Sequence, residues 1–293
     1  LCFIQDRRFG GLVIFRPENF RHTAFLTAFR HLLAMHVQQP SVSDRSFQYG
    51  DGIFSTIRVK NGVLQFWPLH WHRLQQSMQR LGFGLIPEAE VKAQAQAQIS
   101  KPEQVVKVLV SRGHGGRGYS TKALAAPDIY CTASPLPDYS VQQQQGINVA
   151  NASLRLGIQP LLAGIKHTSR LETVLHKTEV EQSGFDELLA FDTEGFAVEF
   201  SAANMFFYQN GQWFTPELSQ AGVAGVMRAF LLKKLAVTEG RFMAQDIADC
   251  EAMFACNALM GVVPVHHYLQ RPLALAPVWP VQQLLATNSE EGC

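Results

Sequence analysis

The spacing of apolar and polar positions divides the chain into short elements of alternating type. Residues 53–60 read as a strand, and Asn61-Gly62 separates them from a second apolar run at residues 63–67. An Asn-Gly pair between two such runs predicts a hairpin, because both residues tolerate the positive φ of a type I′ turn. Pro68 then opens a helix with one apolar stripe, Leu74, Met78 and Leu81, and Gly82 stops it. Residues 93–98 alternate Ala and Gln between polar flanks, and both residue types suit helices, so an exposed helix is expected there. Val105-Val-Lys-Val-Leu-Val110 is short and β-branched. It predicts a buried strand that ends at a glycine-rich loop, Arg112-Gly-His-Gly-Gly-Arg-Gly-Tyr119.

A further strand is expected at residues 129–133, followed by prolines and a glutamine tract at residues 135–146 that read as a linker. Beyond it the pattern gives a strand at 148–154 and a helix from Arg170 to Gln182. Two hairpins follow, 188–192 with 196–200 across Thr193-Glu-Gly195, and 205–208 with 213–215 across Asn210-Gly211. A helix at 225–235, strands around Phe254 and Val262, and a last helix from Pro280 complete the series. No repeat of solenoid length occurs. The pattern is that of two α/β modules with mixed sheets.

Composition narrows the function. The chain has 293 residues, 47% of them hydrophobic, enough for a sizeable core and for two domains or one large α/β unit. Lys plus Arg (25) nearly cancel Asp plus Glu (24), so no strong field steers the protein onto nucleic acid or an anionic membrane, and a small-molecule partner fits better. No apolar run approaches the roughly 18 residues of a membrane span. The five cysteines form no C-x-x-C pair and no zinc-like spacing with His, which points to reduced thiols in the cytoplasm. Residues 1–34 carry Arg7, Arg8, Arg16, Arg21 and Arg30 against only Asp6 and Glu18. A transit peptide would share that balance, but serine is absent, so the expectation is an extension ahead of a start near Met35, or a peripheral arm.

The candidate chemistry lies in two segments. In Ala163-Gly-Ile-Lys-His-Thr-Ser-Arg-Leu-Glu172 a lone lysine is set in an apolar turn, and Glu199 follows after a helix and a strand. A partly desolvated amine can lose its proton and bond an aldehyde, and a carboxylate can hold a pyridine nitrogen protonated. The plain alternative is a surface lysine and an unrelated strand glutamate. His70 and His72 are two residues apart on the expected helix, which points them to different faces, and no third metal ligand offers itself. The glycine-rich loop lacks the spacing of a P-loop or a dinucleotide fingerprint and by itself reads as a connection.

Taken in order, the motifs carry a resemblance. Ser43-Asp-Arg45 with Tyr49-Gly-Asp-Gly52, His70-x-x-Arg73-Leu74, Gly164-Ile-Lys-His167, Glu199-x-x-x-x-Asn204 and Gly225-Val-Met-Arg228 resemble the fold-type IV pyridoxal phosphate enzymes. That group contains the branched-chain and D-amino acid aminotransferases. Ser111-Arg-Gly-His-Gly-Gly-Arg-Gly-Tyr-Ser120 and Cys256-Asn-Ala-Leu259 are similar to its aminodeoxychorismate lyase branch.

The resemblance implies a two-domain α/β architecture with mixed sheets, residues 35–138 forming a smaller domain and 139–293 a larger, cofactor-binding one. It implies pyridoxal 5'-phosphate, with Lys166 as the catalytic lysine that bonds it, Glu199 at its ring nitrogen and Arg73 on its phosphate. Asn204, the backbone of Val226 and Met227, and Asn257 and Ala258 are implied around the same cofactor. Arg117 and Tyr119, with Tyr49 and Thr56, become candidate substrate contacts. The implied reaction is conversion of 4-amino-4-deoxychorismate into 4-aminobenzoate and pyruvate, in a homodimer with sites near the subunit boundary. The nearest alternative is an aminotransferase using the same Lys166, Glu199 and Arg73. A non-enzymatic cofactor carrier or nucleotide-binding module is the alternative from another class.

Overall fold

The computed structural model describes residues 40–287 and, ahead of them, two strands, Phe3–Gln5 (β1) and Leu12–Ile14 (β2), which pair antiparallel. The rest of the expected extension at 1–34, Met35, and residues 288–293 lie outside the described residues.

From Ser41 onward the chain forms one compact unit that holds two sheets. The first follows a short helix, Arg45–Tyr49 (α1), and contains Gly52–Lys60 (β3), Val63–Leu64 (β4), Gln104–Ser111 (β5) and Asp128–Ser134 (β6) in the order β4-β3-β5-β6, all antiparallel. The β3–β4 turn is the expected one, with Asn61 at φ 51 and Gly62 at φ 75. The second apolar run contributes only two residues to the sheet, because Phe66 turns to φ 54 and the helix Trp67–Leu81 (α2) begins there. On β3, Ile53, Ile57 and Val59 share a buried core with Val106, Val108 and Val110 of β5 and with Leu74 and Met78 of α2. Helix Glu88–Gln96 (α3) is present but not fully exposed: Val91 and Ala95, four apart, are buried in this core, a pair that the Ala/Gln alternation conceals. The glutamine tract is likewise more ordered than a linker. It forms a short helix, Ser140–Gln145 (α4), tied down by Gln143 Nε2 donating to the Met260 carbonyl at 2.7 Å.

The second sheet has nine strands: Ile147–Leu156 (β7), Glu187–Asp192 (β8), Ala197–Phe200 (β9), Asn204–Gln209 (β10), Gln212–Pro216 (β11), Val237–Gly240 (β12), Ala252–Asn257 (β13), Gly261–Tyr268 (β14) and Arg271–Pro272 (β15). Its order is β12-β11-β10-β13-β14-β7-β8-β9, with β15 beside β14. Four strands separate β9 from β10 in that order, yet only residues 201–203 connect them in the chain. A flat sheet would hold the two about 24 Å apart at strand spacing, and four Cα steps reach at most about 15 Å. The sheet therefore curls until its β9 edge approaches β10, with Phe200 N–H donating to the Ala203 carbonyl across the corner.

Helices Leu171–Ser183 (α5) and Val226–Lys234 (α6) pack on this sheet, and Trp279–Thr287 (α8) packs on β14. Strand β12 pairs parallel with β11, and neither it nor the five-residue helix Ala244–Ala248 (α7) is legible as a periodic run. No helix among the described residues is long and apolar enough to cross a membrane.

Candidate active site

Lys166 lies on the connection from β7 to α5, and the backbone around it is fixed on both sides. Phe54 N–H donates to the Lys166 carbonyl at 2.9 Å and Thr168 N–H to the Gly52 carbonyl at 2.8 Å, so the turn runs beside the start of β3. On the other side Gly164 N–H donates to the Gly222 carbonyl and Ala224 N–H to the Gly164 carbonyl. Gly164 stands at φ 79, a conformation open to glycine at no steric cost. Ile165 enters the core of the small sheet, which turns the next side chain, Lys166, into a cavity of about 490 Å³.

That cavity gathers most of the expected residues. Thr56, Arg73, Lys166, Glu199, Asn204, Val226, Asn257 and Ala258 all line it. Glu199 projects from β9, and its Oε2 accepts from Val223 N–H at 3.0 Å and from Asn204 Nδ2 at 3.3 Å. Asn204 Nδ2 also donates to the Val223 carbonyl at 2.9 Å, which locks the amide. Arg73, on α2, donates through Nη2 to Ser55 Oγ at 2.7 Å and through Nη1 to the Ala224 carbonyl at 3.4 Å. Val226 and Met227 open α6 after Gly225, so their N–H groups have no partner inside the helix and carry its positive end. The Met227 side chain itself is buried in the core.

Burial sets the charges here. It draws the Lys166 ammonium below the ordinary lysine range, and Arg73 adds to that effect while Glu199 opposes it. Burial also pushes the Glu199 carboxyl up, against the pull of Val223 N–H, Arg170 and Lys166. Arg73 is lowered to about 10 by burial and by Arg170. Arg73, Lys166, Arg170 and Lys177 face the cavity with Glu199 as its single carboxylate. The surplus is positive.

Sequence reasoning missed several of these groups. Arg170 stands in the quoted lysine segment, donates to the carbonyls of His167 and Ile165, and puts a fixed charge beside Glu199. Phe54 takes the Lys166 ammonium against its ring at 4.7 Å from the centroid and the Lys107 ammonium at the same distance. His70 is fully buried and bonded to Ser55, while His72 is exposed.

Besides Met227, three expected residues are not among those lining the cavity. Tyr49 and Tyr119 pack on each other at 5.2 Å, Tyr119 is 84% exposed, and Arg117 is exposed beside it. Their loop is built around Arg45, which pairs with Asp51 and donates to the carbonyls of Gly118, Tyr119 and Ser120. Loop carbonyls gathered on an arginine are not a phosphate cradle.

The cavity suits pyridoxal phosphate by the chemistry of its donors. Arg73 Nε is buried without a partner, which is costly unless a ligand oxygen meets it. With the first N–H groups of α6 it makes a seat for a phosphate. Glu199, both of whose donors reach Oε2, offers Oε1 to a ring N–H, and Lys166 supplies the amine.

Known proteins resemble this chain over most of its length. The amino-transferase class IV family matches residues 52–268. An aminodeoxychorismate lyase of Vibrio harveyi is 37% identical over 231 residues, covering 76% of this chain and 85% of its own length. The crystal structure of 4-amino-4-deoxychorismate lyase from Pseudomonas aeruginosa superimposes with a TM-score of 0.82 at 32% identity, over 87% of this chain and 97% of that one. The branched-chain amino acid aminotransferase of Escherichia coli shares the fold, with a TM-score of 0.77 at 19% identity over 87% and 91% of the two chains. With its match spanning both sheets and the lysine turn between them, the chain belongs to the amino-transferase class IV family.

Proposed function

We propose that this chain is a pyridoxal phosphate-dependent lyase that converts 4-amino-4-deoxychorismate into 4-aminobenzoate and pyruvate, a step toward folate. The observation that carries the reading is the convergence of Lys166, Arg73 and Glu199 on one cavity whose walls bear a surplus of positive charge. The substrate carries two carboxylates and the cofactor a phosphate, and such a cavity favours both. The 37% identity to an aminodeoxychorismate lyase supports the same choice over an aminotransferase.

When bound, pyridoxal phosphate supplies an aldehyde that bonds amines and a ring that withdraws electrons from them. Every other task falls to the chain. Arg73 and the start of α6 hold the phosphate, and Glu199 holds the ring nitrogen in its protonated form. Lys166, its ammonium destabilised by burial, keeps a neutral fraction at neutral pH that can bond the aldehyde. With the cofactor and substrate in place, Lys166 Nζ would take the proton from the substrate ring carbon that bears the amine. Loss of this proton with the enolpyruvyl group makes the ring aromatic, and the departing enolpyruvate gains a proton to become pyruvate. With its backbone pinned to β3, Lys166 holds Nζ in the cavity, and that would make the transfer local.

The reading includes a homodimer acting in the cytoplasm. Leu171, Val174 and Leu175 on α5 stand exposed, an apolar face that suits association. The deciding assay supplies 4-amino-4-deoxychorismate to the cofactor-loaded protein and follows the fluorescence of 4-aminobenzoate. In parallel, branched-chain or D-amino acids are supplied and pyridoxamine phosphate is measured. Release of 4-aminobenzoate faster than amino-group transfer is the expected result; the opposite order would assign the chain to the aminotransferases.

A further inference from the structure

Strand β3 buries one face and turns the other to the cavity: Ile53, Ser55, Ile57 and Val59 point into the core, while Phe54 and Thr56 line the cavity. Ser55 is thus a hydroxyl on an otherwise apolar face, and it is fully buried. Helix α2 shows the same departure. Its buried residues are Trp67, His70, Leu74, Ser77 and Met78, with an imidazole in place of a hydrocarbon at His70 and the Ser77 hydroxyl bonded to its own helix at the Arg73 carbonyl. Buried polar groups are found bonded, and these two bond each other, Ser55 Oγ to His70 Nδ1 at 2.6 Å. The same oxygen accepts from Arg73 Nη2 at 2.7 Å.

A hydroxyl has one proton. Because Arg73 can only donate, Ser55 Oγ accepts from it, and among the described residues the hydroxyl is paired with no acceptor other than His70 Nδ1, which directs its proton there. That requires a neutral imidazole with its own proton on Nε2, an atom that is buried with no partner among the described residues. Burial and the positive charges of Arg73 and Lys166 hold His70 well below the usual imidazole range, consistent with the neutral form. Arg73 is three residues after His70 on the same helix, so the relay closes a small ring of α2 and β3 around the guanidinium.

We propose that Ser55 and His70 form a positioning pair that orients the Arg73 guanidinium for the phosphate of the cofactor. Neither residue lines the cavity, so neither touches the ligand. Their effect passes through Arg73, and the inference rests on the reading of Arg73 as the phosphate ligand.

The test titrates apoprotein with pyridoxal phosphate and, separately, with pyridoxal, which has the aldehyde and ring nitrogen but no phosphate. Ser55→Ala and His70→Leu are expected to weaken pyridoxal phosphate about tenfold, and pyridoxal less than about twofold, because only the phosphate uses the oriented guanidinium. His70→Asn, which can place an oxygen acceptor near the Nδ1 position, should recover most of the loss. Equal losses for the two ligands would make the pair merely structural and overturn the proposal, as would unchanged affinities. Ser55→Ala removes a single oxygen and decides the matter even if His70→Leu fails to fold. Arg73→Ala separates the two readings. If it keeps the preference for pyridoxal phosphate, Arg73 is not the phosphate ligand; if it loses the preference while Ser55→Ala and His70→Leu do not, only the positioning pair is wrong. Nitrogen NMR of the histidines should show His70 neutral with its proton on Nε2, and a proton on Nδ1 would overturn the relay.

Discussion

On the proposed reading, Lys166 stands under two opposing demands. It must be free of its proton to bond an aldehyde, and the burial that frees it also costs the folded protein stability whenever the amine is charged. The sign follows from its lowered value. An amine whose folded value lies below that of the unfolded chain, roughly 10.4, contributes fully above that pH and loses the contribution as pH falls through the folded value. Lys166→Met should therefore abolish turnover and raise the melting temperature of the apoprotein, more at pH 7 than at pH 10.5. A gain that is equal at both pH values would remove the amine as its source. Glu199→Gln, by contrast, should leave the fold intact and slow turnover at least about tenfold, equivalent to roughly 1.4 kcal/mol in the barrier, since an amide holds a ring nitrogen protonated less well. Unchanged turnover would remove Glu199 from that role. That Lys166 and Glu199 share the cavity was legible because motif order marked them. Ser55 and Arg170 were not: a serine inside an apolar run and an arginine four residues past the lysine reveal their roles only when β3, α2 and the lysine turn are assembled.

At the scale of elements, the turns were the most readable part of the chain. Asn61-Gly62 and Asn210-Gly211 both take the positive φ that the sequence requires, and the strands they join pair antiparallel. Elements without a period were lost. Strand β12 is half exposed and held by main-chain pairing with β11, so no apolar alternation announces it. The junction before α6 shows why an unremarkable glycine matters. A Cβ on Gly225 would run into Asn204 Oδ1, the residue whose amide steadies Glu199 and the Val223 carbonyl. Gly225→Ala should displace Asn204, cost about 1–3 kcal/mol in stability, and weaken cofactor binding, because the start of α6 and Glu199 shift together. Thermal melts and cofactor titration of that variant check both effects. Gly62→Ala is the control: nothing lies within 4 Å of its Cβ, so its strain is confined to a surface turn and cofactor affinity should hold.

At the scale of the whole molecule, the positions of Arg117 and Tyr119 set a constraint. They stand on an exposed loop and are not among the residues lining the cavity of their own chain. If they bind the substrate carboxylates as their motif implies, the cavity they serve belongs to the other subunit of a dimer. This has a stoichiometric consequence. A protein with Lys166→Ala has no active site, and one with Arg117→Ala has sites that bind substrate poorly, raising KM with little change in kcat. In a mixed dimer, one cavity then contains both defects and the other contains neither. Mixing the two variants under exchange conditions should restore about a quarter of wild-type sites with normal KM, the share expected from random pairing in a two-fold dimer. If Arg117 instead serves its own chain, every cavity keeps one defect and mixing restores nothing. Sedimentation of the wild-type protein sets the frame for that outcome: a species of twice the chain mass is required, and a monomer with full activity would place substrate recognition on the residues of this cavity alone.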